Sequence, residues 1–270
     1  MKPTLASSLS GRLVGIIWGD AKAGKTTYAC TLPGRKLIIN FDPEGFSSIA
    51  HREDVDVIDL SLVPASEAIQ NARKVGQYII DEADNYSSII VDSLTTLTEL
   101  AMHDAVNRGI GKGKNGFVPT IDEPGLAGYG ARNNAVNDVI SRILRATGQT
   151  KKHCFFIAHM DDPEYTHDGK SIVQQTIMLS AKIRNNTALK VSEIYHISVE
   201  GTRRTLYVAP HGMKRPMGSR IFDTEICKKF VLYNGVDKPD EEREDSLCNI
   251  IATWRDGNFE KLKGLPKLSK

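Results

Sequence analysis

The chain has 270 residues, 40% of them hydrophobic and 25% charged, which is enough for a sizeable core and typical of an ordinary water-soluble protein. No apolar run approaches the roughly 20 residues of a membrane span. The polar start MKPTLASSLSGR has no signal-peptide core, so a cytoplasmic protein without a membrane partner is expected. The net charge of +2 neither demands nor excludes a nucleic-acid partner.

Along the chain, apolar runs alternate with amphipathic stretches, the pattern of an α/β fold with a mostly parallel central sheet flanked by helices. Residues 13–18 read as a buried strand. A helix is expected over 25–32, ended by Pro33 and Gly34. A second strand is expected over 36–41 and a helix over 65–84, where Ala68, Ile69, Ala72, Val75, Ile79 and Ile80 recur at helical spacing. A third strand follows at 88–91 and a helix at 94–107.

Residues 108–126 break the alternation with glycines and prolines, and such long loops are often functional. Helix resumes at 129–147, and a fourth core strand is expected at 154–158. A polar loop spans 161–170, and 172–178 reads as the returning arm of a hairpin. Strands are expected at 194–199 and 205–208, and a C-terminal helix at 241–254. The expected layout is an N-terminal tail over 1–11, one core over 12–235, and a helix with a basic tail over 236–270.

Cys30, Cys154, Cys227 and Cys248 are far apart and read as reduced, mostly buried thiols rather than zinc ligands. His51, His103, His153 and His196 show no metal-ligand spacing.

Gly19-Asp20-Ala21-Lys22-Ala23-Gly24-Lys25-Thr26 matches the full P-loop pattern, with a strand before it and a helix after it. The glycines let the backbone wrap phosphate oxygens, and successive N–H groups face the anion. Lys25 supplies charge to the β- and γ-phosphates. The Thr26 hydroxyl is a hard oxygen ligand for Mg2+. Thr27 completes the expected nucleotide-binding set. Ile89-Ile90-Val91-Asp92 has the Walker B form, an apolar strand ending in a carboxylate that would hold Mg2+. The second strand runs into Asp42-Pro43-Glu44-Gly45. On a parallel strand beside the P-loop strand, Glu44 would be a candidate general base; otherwise it is a turn residue before Gly45.

Taken in order, GDAKAGKTT, LIINFDPEG and SIIVDSLTTL resemble the ATPase core of RecA/RadA-type recombinases. The chain is most similar to the phage RecA-like nucleotide-binding family that includes ATP-dependent single-strand annealing proteins. The resemblance covers about residues 12–210. It makes Glu44 the catalytic glutamate of a D-x-E-G setting and puts His159 at the polar sensor position, where many recombinases have Gln. It implies a DNA-stimulated ATPase of phage recombination or replication, in the host cytoplasm, using ATP and Mg2+. The implied partners are single-stranded DNA, further copies of the chain and a single-stranded-DNA-binding protein.

The glycine-rich loop falls where the family has its first DNA-binding loop. There Arg108, Lys112 and Lys114 could track a DNA backbone, and Phe117 could stack on an unpaired base. Residues 161–175 fall at the second such loop. Lys214, Arg215 and Arg220 are candidates for cations supplied to a neighbour's γ-phosphate, or are ordinary surface charges. The tail lysines Lys261, Lys263, Lys267 and Lys270 form a further basic cluster. Two other functions compete with the first. One is a nucleotide-dependent scaffold with little turnover. The other is a small-molecule kinase, for which no arginine-rich lid is evident between Asp92 and Pro210.

Overall fold

The computed structural model describes residues 11–43, 45–112, 117–165, 172–225, 227–233 and 238–257. Its strands in chain order are β1 (Val14–Gly19), β2 (Lys36–Asn40), β3 (Val55–Asp59), β4 (Ser88–Asp92), β5 (His153–His159), β6 (Glu164–Tyr165), β7 (Ile172–Gln174), β8 (Glu193–Glu200), β9 (Arg203–Tyr207) and β10 (Lys229–Val231). The α-helices are α1 (Lys25–Ala29), α2 (Ala65–Asp81), α3 (Leu94–Asn107), α4 (Gly125–Gln149), α5 (Ala181–Ala188) and α6 (Leu247–Arg255).

One eight-stranded sheet has the order β10-β9-β8-β1-β5-β4-β2-β3. From β8 to β3 all neighbours run parallel, whereas β9 and β10 are antiparallel additions at one edge. β1 and β4 are buried along their whole length, as strands covered on both faces must be. Alternate residues of β1 enter opposite cores. Val14, Ile16 and Trp18 join one with Ile69 of α2, Leu97 of α3 and Ile140 of α4, while Ile17 joins the other with Tyr28 of α1 and Ile250 of α6. The fold is therefore the expected α/β class. Among the described residues, no helix is long and apolar enough to cross a membrane.

The sheet order corrects one expectation. β2 does not lie beside the P-loop strand: β1 pairs with β5 and β8, and β2 sits beyond β4. Three elements were not expected. β3 is only half-buried at the sheet edge, and its sequence VDVID breaks its apolar residues with Asp56 and Asp59, so it lacks a long apolar run. α5 (AKIRNNTA) buries only Ile183 and Thr187, and β10 is three residues long. Around the polar loop, β6 and β7 form a small antiparallel ribbon. Cys30, Cys154 and Cys227 are buried thiols and Cys248 is half-buried, with no disulfide among them.

Candidate nucleotide site

β1 ends at Gly19 and α1 begins at Lys25, so the glycine-rich loop emerges at the C-terminal edge of the sheet. A side chain at Gly19 would collide with the Ile197 carbonyl oxygen of the neighbouring β8. Gly24 has a φ of 87°, a left-handed conformation that glycine adopts without steric cost. These two positions explain the two glycines of the motif. Ala23 is buried under the loop in the core around Tyr28.

Lys25 is only 5% exposed. Its Nζ donates to the carbonyls of Asp20 at 2.6 Å and Gly19 at 3.2 Å, and lies 3.4 Å from His159 Nδ1. Burial lowers its pKa, against the opposing pull of the Asp92, Asp42 and Asp20 carboxylates. The Thr26 hydroxyl donates to Asp92 Oδ2 at 2.6 Å, so the P-loop and the end of β4 meet directly. Burial pushes the Asp92 carboxyl up to about 6, and the Thr26 hydrogen bond only partly offsets this.

Asp42 enters the same space from the turn after β2. Asn40 braces that turn by donating through Nδ2 to the Asp42 carbonyl at 2.8 Å and to Asp59 Oδ1 at 2.9 Å. A side chain at Gly45 would come within 2.7 Å of Asn40 Oδ1, which accounts for glycine after the turn. Asp42 Oδ1 accepts from Ser93 Oγ at 3.0 Å and from Thr96 Oγ1, and Oδ2 lies 3.3 Å from His159 Nε2. Burial would raise the Asp42 pKa, but the hydrogen bonds from His159, Thr96 and Ser93 outweigh it and hold the carboxyl below its ordinary value. A neutral His159 ring with its proton on Nε2 satisfies both neighbours, accepting from Lys25 and donating to Asp42.

These groups border a cleft of about 480 Å³, within the range of small-molecule sites. Of the expected nucleotide-binding residues, Ala21, Lys22, Gly24, Lys25, Thr26 and Thr27 line it. Gly19 and Asp20 lie behind and supply carbonyls to Lys25. Asp92 and His159 line it as well. Glu44 lies outside the described residues, though both its neighbours, Pro43 and Gly45, border the cleft.

The other basic candidates are elsewhere. Lys214, Arg215 and Arg220 do not border the cleft of their own chain. Arg215 donates to the carbonyls of Gly212 and Lys214, and the Arg220 N–H donates to Glu193. Arg108 pairs with Asp104 at 2.8 Å, one turn back on α3. Lys112 is exposed, Phe117 is 40% exposed, and Lys114 lies outside the described residues.

Two charged cleft residues, Asp42 and Arg204, had no role assigned from sequence. Asp42 opens the DPEG segment, where the sequence pattern points to Glu44 two residues on. Arg204 of β9 had no local signal, because only the sheet order carries β9 toward the P-loop. Among the described residues, no group of three or more His, Cys, Asp or Glu could hold a metal by itself. The Thr26 and Asp92 oxygens suit a hard cation that takes its remaining ligands from phosphate and water. No curated protein shows significant similarity to the chain. Residues 12–214 match the family model described as AAA domain.

Proposed function

The chain belongs to the AAA-domain family, and from that premise we propose that it is a RecA-like ATPase that acts on single-stranded DNA in phage recombination or replication. The observation that carries the nucleotide part is the Thr26–Asp92 hydrogen bond beside buried Lys25. It brings a cation and two hard oxygen ligands to one point at the end of a glycine loop, the set that Mg·ATP needs.

Lys25 neutralises charge on the β- and γ-phosphates. Thr26 and Asp92 hold Mg2+, which when bound draws charge from the phosphate oxygens. Glu44 takes the proton from the attacking water. Asp42 fixes the His159 ring, and His159 senses the γ-phosphate through its place next to Lys25. ATP controls assembly of copies of the chain and their grip on DNA, with Lys112, Lys114 and Phe117 as the first contacts and Lys214, Arg215 and Arg220 reaching a neighbour's nucleotide. A single-stranded-DNA-binding protein is a further partner. The DNA part is supported by the family resemblance and by the exposure of Lys112 and Phe117.

The test is ATP turnover with and without single-stranded DNA. Stimulation by DNA is expected. ATP binding without turnover or DNA binding would replace this reading with a nucleotide-dependent scaffold. Failure to bind ATP would remove both.

A further inference from the structure

Arg204 occupies a fixed place opposite the P-loop. Its backbone is held on both sides within the sheet: it is in register with Val199 of β8, and its carbonyl accepts from the Leu232 N–H at 2.9 Å. From there the side chain reaches the loop at Gly24. A Cβ added at Gly24 would lie 3.1 Å from Arg204 Nε, 3.3 Å from Cδ and 3.9 Å from Cζ. Both residues border the cleft. The absence of a side chain at position 24 therefore lets the Arg204 side chain pack directly against the P-loop at the border of the cleft.

We infer that Arg204 is a phosphate ligand supplied by the same chain, gripping the α- and β-phosphates that ATP and ADP share. The assignment rests on the P-loop reading and adds to it a cation outside the motif. In a P-loop the backbone of the glycine segment cradles the α- and β-phosphates, while the lysine reaches the β- and γ-phosphates. Arg204 lies against that glycine segment. At the other part of the cleft, Lys25, His159 and Asp42 form one chain of contacts, and Thr26 holds Asp92. A planar guanidinium grips two phosphate oxygens with parallel N–H donors, a fixed geometry that a rotating ammonium lacks. With Arg204 in place, a single chain holds ADP without a neighbour's help. The candidate trans cations then bear on the γ-phosphate alone.

The experiment is calorimetric titration of Mg·ATP and Mg·ADP into the full chain, as wild type, Arg204→Ala, Arg204→Gln and Lys25→Ala. Unliganded melting temperatures are measured in parallel. Arg204→Ala is expected to weaken ATP and ADP alike by about 10- to 100-fold, the scale of a lost charged hydrogen-bonding pair. Its unliganded melting should stay close to wild type. If Arg204→Ala unfolds early, Arg204→Gln, which keeps the side-chain length and loses the charge, is expected to show the same parallel loss. Wild-type ADP affinity in a folded variant overturns the assignment. A loss confined to ATP also overturns it, because Arg204 would then serve the γ-phosphate. Lys25→Ala separates the two levels. If it loses nucleotide while the Arg204 variants do not, the P-loop reading stands and only this inference falls. If wild type binds neither nucleotide, both fall together.

Discussion

His159 Nε2 lies 3.3 Å from Asp42 Oδ2, a contact that passes over the end of β4 to join the tip of β5 to the turn after β2. Because Lys25 Nζ approaches the other ring nitrogen at 3.4 Å, a phosphate that draws Lys25 changes the balance on a ring already held by Asp42. The cleft thus has a polar path from the P-loop through His159 at the tip of β5 to Asp42 in the turn after β2.

This path separates the roles of the two acidic residues in DPEG. Glu44→Gln should keep ATP binding and slow hydrolysis by roughly 100-fold or more, as for loss of a general base. Asp42→Asn keeps the side-chain shape but removes the charge and one of the two acceptor oxygens shared by His159, Ser93 and Thr96, so it should slow hydrolysis by roughly 10-fold, the smaller cost of weakening a positioning group. Single-turnover rates at saturating ATP measure both. An unaffected Glu44→Gln would hand the base role to another group, with Asp42, which also borders the cleft, next to test.

Lys25→Ala should cost more than any other single change at the site. It removes the buried cation that offsets the Asp42 and Asp92 carboxylates, which disfavours a further anion. ATP affinity should fall by about 100-fold or more, in line with breaking a buried charged contact. Titration of a fluorescent ATP analogue checks this. Unchanged affinity would remove the nucleotide site from the P-loop.

How much of this was legible depended on whether the signal was local. The P-loop could be read because its chemistry lies within eight consecutive positions, and the helices α2 to α4 because their apolar residues recur on one face. β3 carries no such signal, because an edge strand such as VDVID needs no apolar run. The place of β2 was misjudged because strand order follows from crossover connections, which leave no trace in local composition. Arg204 left no local trace for the same reason: its meeting with Gly24 depends on β8 pairing with β1 and β9 with β8, far along the chain from the P-loop.

The acid limb of stability should depend on Asp54. Burial would raise its pKa, but hydrogen bonds from Arg52 and Lys36 outweigh this and hold it well below the ordinary carboxylate value. Arg52 also pairs with Asp240 at 2.7 Å, so the cluster ties the β2–β3 edge to the segment before α6. A carboxyl with a depressed folded-state pKa stabilises the fold fully above its unfolded value of about 3.9, and that contribution is lost as pH falls through the folded value. Asp54→Asn should therefore lower the melting temperature by about 2–4 °C at pH 7. The difference from wild type should shrink as the pH drops below about 4. A constant difference across pH would mean that the ionised form of Asp54 is not what stabilises the cluster.

Leu247 begins α6 and is fully buried in the same core cluster as Tyr28, Ala29 and Phe155. Its backbone N–H donates to Thr31 Oγ1 at 2.9 Å, just beyond α1. Leu247→Ala should destabilise the chain by about 2–5 kcal/mol, the usual cost of such a cavity. ATP, which binds the folded chain, should restore part of the lost stability. Denaturant unfolding with and without ATP measures both effects. A cost below about 1 kcal/mol would mean that α6 docks only loosely.

The DNA loop gives the last prediction, and the structure changes its expected shape. Arg108 is paired at 2.8 Å with Asp104, whose carboxylate is nearly buried, so a DNA phosphate would have to compete for that guanidinium. Lys112 is exposed in the same loop, and Lys114 follows it in the sequence. The lysines should therefore carry most of the phosphate contact. Lys112/Lys114→Ala should weaken single-stranded DNA binding equally across sequences, because phosphate contacts carry no sequence information. It should also reduce the salt slope by about 0.7 per lost contact. Arg108→Ala should change the slope much less. Phe117→Ala should cost affinity without changing the slope, since stacking releases no counterions. The measurement is titration of labelled single-stranded DNA at several salt concentrations with ATP present. Equal slopes for wild type and Lys112/Lys114→Ala would move the DNA site elsewhere, with the lysines after Glu260, which lie outside the described residues, next to test. If Arg108→Ala instead reduces the slope as much as the lysine pair does, the Asp104 ion pair opens on binding and Arg108 belongs to the interface.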